Sequence, residues 1–239
     1  MALPLFFNQD IVGITNEFFL SEETSKHTIQ VLRMQRGEQL QLTDGAGDLF
    51  TVEIIDENRK KCCVKVLSTT HVPATKNKIT IAISLLKINS RFEWFLEKAT
   101  EIGISQIIPI LCERTEKQHF KYERMNSILV SAMLQSQQVW KPLLNEPVKF
   151  MEYLNFVKNE KGLQKFIAHC EDENNKVKLS NNLLNKKARQ LILIGPEGDF
   201  TKTEIETAIA NDFIPVSLGN TRLRTETAGI VAAAMLCNF

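Results

Sequence analysis

The hydrophobic pattern changes character once along the chain, near residue 72. Before that point the periods are short and run in twos. Gln39-Leu40-Gln41-Leu42-Thr43 places an apolar side chain at every second position, as a strand with one buried face requires. Asp44-Gly45-Ala46-Gly47-Asp48 is a turn, and the apolar positions resume from Leu49 to Ile55, so residues 38–56 predict a hairpin. Lys60 to Leu67 predicts the next strand, and Ser21-Glu22-Glu23-Thr24 starts a short helix running through His27, Val31 and Leu32. Residues 1–72 therefore predict a small antiparallel barrel carrying one short helix.

The stretch from Val72 to Lys78, with its proline and polar residues, reads as a linker. Beyond it, strands alternate with longer helices. Ile79 to Leu86 is a near-continuous apolar run, the mark of a strand covered on both faces. From Arg91 to Ile102, Phe92, Phe95, Leu96, Ala99 and Ile102 fall at helical spacing, and Gly103 marks the stop. Gln106–Leu111, residues 164–169, Gln190–Ile194 and Phe213–Ser217 predict further strands. Residues 122–138, 203–211 and the stretch from Thr225 predict helices. The fold class expected of residues 73–239 is α/β, a parallel sheet with helices on both faces.

Composition narrows the functional classes. The chain has 239 residues, 44% apolar and 24% charged, which excludes a disordered or collagen-like chain. No apolar run approaches the roughly 18 residues that span a bilayer, and MALPLFFNQD lacks the basic start of a signal peptide. The expectation is a cytoplasmic protein without a membrane segment. The five cysteines form no CxxC pair, and the four histidines show no ligand spacing, so neither a disulfide framework nor a metal is expected. A net charge of +1 hides a division, with net −3 over residues 1–72 and net +4 beyond. Neither part is basic enough to announce nucleic acid by composition alone.

Two segments near the C-terminus stand apart. Leu191-Ile192-Leu193-Ile194 runs into Gly195-Pro196-Glu197-Gly198-Asp199-Phe200, and a helix follows at once through the capping box Thr201-Lys202-Thr203-Glu204. Ligands in open α/β sheets bind beyond strand carboxyl ends, where glycines let them approach the backbone. The plain alternative is a tight connection. The loop matches neither the dinucleotide fingerprint nor the phosphate loop. The second segment is Leu218-Gly219-Asn220-Thr221-Arg222-Leu223-Arg224-Thr225-Glu226-Thr227, leading into a helix rich in Ala and Gly. Arginines at a helix N-terminus oppose the helix dipole, which points to an anionic partner or to a carboxylate held by them, Glu197 or Glu226. The small residues from Ala228 to Leu236 permit a close backbone crossing or helix pairing. The two strand ends are expected to share one cavity.

LIGPEGDF followed by LGNTRLRTETA resembles the paired C-terminal motifs of the 16S ribosomal RNA (uracil-N3)-methyltransferases of the SPOUT superfamily. His27-Thr28-Ile29-Gln30-Val31-Leu32-Arg33 with Gly37 and Asp44-Gly45 resembles that family's N-terminal motif, and Glu97-Lys98-Ala99-Thr100-Glu101-Ile102-Gly103 its middle helix. The resemblance implies a PUA-like RNA-binding β-barrel over 1–72. Over 73–239 it implies a SPOUT α/β domain whose C-terminus forms a trefoil knot. It further implies a homodimer, S-adenosyl-L-methionine as cofactor, and methylation of N3 of a uridine in 16S ribosomal RNA or the small ribosomal subunit. Carried over, Ile194, Gly195, Pro196, Glu197, Gly198, Leu218, Gly219, Leu223, Thr225 and Thr227 should surround the methyl donor.

The chemistry needs a hydrogen-bond donor for charge growing on the uracil carbonyls, for which Arg224 is the candidate. Glu197 or Glu226 would take the N3 proton or hold that arginine. Lys26, His27, Arg33 and Arg36 form the basic cluster of the N-terminal part, the candidate RNA grip; the alternative pairs Arg33 with Glu22 or Glu23. Three places depart from the family pattern: Asp199 stands for a usual Gly, Thr221-Arg222 for Arg and an apolar residue, and Leu134 and Gln138 for a Glu and an Arg. These leave room for a related enzyme with another target, or for a non-catalytic RNA-binding assembly factor. A nucleotide-dependent oxidoreductase lacks its fingerprint.

Overall fold

Leu40, Leu42, Phe50, Val52, Ile54 and Val64 of the first third all enter one core, as their spacing in twos requires. The computed structural model describes residues 3–11, 13, 16–116, 119–171, 176–182 and 189–238. It resolves into two compact units, residues 1–74 with 133–141, and residues 75–132 with 142–239.

The first unit holds β1 (Leu5–Phe7), β2 (Glu17–Phe19), α1 (Glu22–Lys26), β3 (Gln39–Thr43), β4 (Asp48–Asp56) and β5 (Cys63–His71). Its sheet runs in the order β1-β3-β4-β5-β2. The expected hairpin is β3 and β4, paired from Gln39↔Glu53 to Thr43↔Leu49. The sheet is not wholly antiparallel, however, because β1 lies parallel to β3. The chain between them passes through β2 and α1, a crossover rather than a hairpin, and a crossover leaves strands parallel. Two register shifts between β4 and β5 add twist, which curls the sheet. Ser21 caps α1 by accepting the Thr24 N–H, and the helix continues into a π-helical turn, His27–Val31. Residues 133–141 belong to this unit through Trp140. Its ring lies so close to Gly47 that no side chain fits there, and its Nε1 donates to the Val72 carbonyl at 2.8 Å.

The second unit contains β6 (Lys78–Ser84), α2 (Asn89–Ile102), β7 (Gln106–Leu111), α3 (Tyr122–Gln135, up to residue 132), β8 (Leu143–Leu144), β9 (Val148–Lys149), α4 (Phe150–Val157), β10 (Leu163–Ala168), β11 (Val177–Lys178), α5 (Leu179–Asn182), β12 (Arg189–Ile194), α6 (Lys202–Ala210), β13 (Ile214–Ser217) and α7 (Thr225–Asn238). The strand order is β11-β13-β10-β12-β6-β7-β8, with β9 also beside β7, and neighbouring strands are parallel.

Strand parity divides the core between two faces. Ile192 and Ile194 of β12 pack with Phe92 and Phe95 of α2 and Ala232 and Ala233 of α7. Leu191 and Leu193 face Phe150 and Leu154 of α4 and Ile205 of α6. Each such side chain contributes about 1.5–3 kcal/mol of burial, enough for these runs to commit to the interior. The small-residue pattern of α7 has a definite partner: a β-carbon on Gly229 would lie 2.7 Å from the Phe95 ring and 2.9 Å from Ile83. The glycine thus lets α7 settle directly onto α2 and β6.

Candidate active site at three strand ends

The carboxyl ends of β10, β12 and β13 are level. Ala168 of β10 pairs with Ile194 of β12 on one side and Val216 of β13 on the other. The two strand ends singled out in the sequence are therefore not neighbours. β10 separates them, and His169 and Cys170 at its end join the walls. Together the three exits enclose a cavity of about 900 Å³, at the upper end of the range of small-molecule sites.

The Gly195–Phe200 loop is fixed from several directions. The Phe200 ring is fully buried against Phe150, and a β-carbon on Gly195 would come within 3.0 Å of it. Arg114, just beyond β7, donates from Nη1 to the carbonyl of Gly198 at 2.8 Å. Glu197 accepts the Lys87 N–H through Oε1 at 3.2 Å. The capping box is present: Thr201 and Glu204 exchange side-chain and backbone bonds, and Glu204 also accepts the Glu113 N–H at 2.9 Å. Asp199 has φ +63°, a region that glycine enters freely and Asp tolerates better than most residues, which accounts for the substitution there. Its Oδ2 accepts the Cys170 N–H at 2.7 Å.

Of the expected donor-binding residues, Ile194, Gly195, Pro196, Glu197, Leu218, Gly219, Leu223 and Thr225 line the cavity. Gly198 and Thr227 are not among its lining residues. Arg224 lines it and is exposed, and Arg222, Lys176 and Lys178 add positive charge around the same space. Glu226 does not line it. That carboxylate is buried at the first turn of α7, with Oε1 3.7 Å from Nε of Arg91. Of the two carboxylates considered for the proton, only Glu197 reaches the cavity wall.

Sequence reasoning passed over Arg114 and the Asp199 clasp. Arg114 lies 84 residues from its carbonyl partner, and no local pattern signals such a contact. Burial and the Lys176 cation hold the His169 imidazole below its usual pKa. Burial, then the Asp199 carboxylate, raises the Cys170 thiol. No group of three His, Cys, Asp or Glu side chains among the described residues could hold a metal ion.

In the first unit, Lys26 is paired with Glu22 at 2.6 Å and His27 stands edge-on to Phe6 with ring centres 5.5 Å apart. Arg33 is exposed with φ +57°, and Glu22 is engaged by Lys26 rather than by Arg33. The Arg36 N–H donates to Glu57 at 2.9 Å.

Fold and cavity define an α/β protein with a cavity at the carboxyl ends of three parallel strands, joined in sequence to a curled β unit. Residues 73–237 match the family described as RNA methyltransferase domain, and residues 20–67 match the RNA methyltransferase PUA domain. The chain belongs to this RNA methyltransferase family. Ribosomal RNA small subunit methyltransferase E of Synechocystis sp. is 33% identical to it, covering 88% of this chain and 69% of that protein. The structure of a probable rRNA-methyltransferase from Porphyromonas gingivalis is similar with TM-score 0.87 at 37% identity, covering 97% of this chain and 95% of that one. A ribosomal RNA small subunit methyltransferase E from Neisseria gonorrhoeae, solved bound to S-adenosyl methionine, is similar with TM-score 0.85 at 26% identity, covering 98% and 96%.

Proposed function

We propose that this protein transfers a methyl group from S-adenosylmethionine to N3 of a uridine in 16S ribosomal RNA. The observation that carries the reading is the cavity where β10, β12 and β13 end, walled by the Gly195–Glu197 and Leu218–Thr225 segments. Backbone amides and carbonyls just beyond strand ends can read the edge of a nucleoside by hydrogen bonds. The cavity accommodates a nucleoside, and the relative solved with S-adenosyl methionine supports that ligand. Bound there, S-adenosylmethionine supplies a methyl group on a positively charged sulfur.

The residues of the chain then have separable tasks. N3 of uracil carries a proton on the pairing edge, so the base must be exposed by unpairing or flipping. Glu197, anchored at one oxygen by the Lys87 N–H, is the proton acceptor. Arg224 donates to the uracil carbonyls as negative charge grows on them. The N3 lone pair forms the bond to the methyl carbon while the carbon–sulfur bond breaks, leaving neutral sulfur. The walls hold the partners in line, and such alignment is worth up to about 7–11 kcal/mol. The curled unit, with exposed Arg33, grips the RNA. α7 follows β13 yet packs on β12 and β6, two and three strands away, a path compatible with a threaded C-terminal knot.

Small subunits from a strain lacking this protein, incubated with it and isotope-labelled S-adenosylmethionine, should yield labelled 3-methyluridine on nucleoside mass analysis. A label on ribose or on another base would replace the target. Donor binding without any transfer would favour an assembly factor.

A further inference from the structure

Asp199 holds more than its own loop. Non-glycine residues stay at positive φ where contacts over-determine them, and here the N–H and both carboxylate oxygens of the residue are engaged. Its N–H donates to the Pro196 carbonyl at 2.9 Å, and its Oδ1 accepts the Phe200 N–H at 2.8 Å. The remaining oxygen, Oδ2, crosses to the exit of β10 and accepts the Cys170 N–H at 2.7 Å. Hydrogen bonds to an ionised acceptor are short and strong, and this one joins two segments 29 residues apart in sequence. A second tie meets the same exit from another side, where Lys176 Nζ donates to the His169 carbonyl at 2.8 Å. Both polar groups of the His169–Cys170 peptide link are thus held by side chains that line the cavity, Lys176 and Asp199.

We infer that Asp199 is a positioning residue: by tethering the Cys170 amide to the Gly195–Phe200 loop, it sets the separation of two cavity walls before the methyl donor arrives. This rests on the function proposed above. A preformed site avoids the ordering cost of binding, so removing the tether should appear first in donor affinity. A merely structural role would lower the melting temperature without selecting between donor and RNA.

The test uses the full chain with S-adenosylmethionine in a calorimeter, comparing wild type with Asp199→Gly, Asp199→Ala and Asp199→Asn. Gly keeps the backbone conformation without the tether; Asn keeps an oxygen acceptor and tolerates positive φ. Gly and Ala should weaken donor binding by about 10-fold or more, the scale of losing a hydrogen bond to a charged group. They should raise KM for the donor while leaving KM for RNA unchanged. Asn offers one oxygen for the two N–H groups that Asp199 accepts, from Cys170 and Phe200, so its affinity should lie no higher than between wild type and Gly. Gly and Ala binding as tightly as wild type, or a rise in KM for RNA as large as that for the donor, overturns the inference and leaves the proposed function standing. Failure of the wild type to bind the donor overturns the proposed function, and the inference with it.

Discussion

Arg91 of α2 lies against Glu226 at the first turn of α7, with Nε 3.7 Å from Oε1. The contact sits beside Gly229, where α7 presses onto Phe95 of the same helix. Glu226 is therefore part of the seam between α2 and α7, and the favourable end of a helix dipole for a carboxylate adds to that role. Glu226→Gln should keep methyl transfer near the wild-type rate and lower stability in urea by about 0.5–1 kcal/mol, the range of a partly exposed ion pair. A loss of activity with full stability would return Glu226 to the chemistry.

Glu197 and Arg224 carry the opposite expectation. Glu197→Gln should slow single-turnover methyl transfer by about 10²–10⁴, the usual contribution of a positioned proton acceptor. Arg224→Ala should slow it by about 10²–10³, as when one charge-stabilising donor is removed. Both variants should bind S-adenosylmethionine nearly as well as wild type, measured by calorimetry on the same preparations.

At Gly229, helix propensity and packing oppose each other. Alanine would gain about 1 kcal/mol of propensity, but its methyl would press on a buried aromatic ring that cannot swing away. Gly229→Ala should destabilise by about 1–3 kcal/mol in chemical denaturation, because overpacking exceeds the propensity gain. Gly229→Val should be worse.

His169 sets a pH dependence. Burial and Lys176 lower its folded pKa beneath the ordinary value of 6.5, so below that pH the unfolded chain binds a proton that the folded chain refuses. Stability should fall as pH drops from 6.5 through the lower folded pKa, and be indifferent to this group above 6.5. Thermal melts of wild type and His169→Asn from pH 7.5 to 5 should diverge only in the acid part, with the variant losing less.

Arg33 combines exposure with a positive φ. Arg33→Gly relieves a backbone conformation that costs an L-residue about 1–2 kcal/mol, so stability should hold or rise. If the side chain contacts RNA phosphate, filter binding should weaken and the salt slope should shrink by about one. Unchanged affinity and slope would leave Arg33 as a solvated surface residue.

Sequence alone determined the parts of this protein that local patterning controls. Spacing in twos produced the β3–β4 hairpin, the apolar runs produced β6, β7 and β12, and Thr201 with Glu204 announced the start of α6. Motifs near the C-terminus picked out most of the cavity wall, because a ligand needs glycines and strand ends that are contiguous in the chain. The short strands β1, β2, β8, β9 and β11 escaped notice, since two or three residues carry no period. The tertiary structure alone decided that β10 stands between β12 and β13, that β1 runs parallel to β3, and that Glu226 turns to Arg91. It also decided what Asp199 and Arg114 hold, across 29 and 84 residues. Periodicity reports which face of an element is buried, whereas strand order and side-chain partnership depend on which buried faces meet, and that is settled only when the whole chain packs at once.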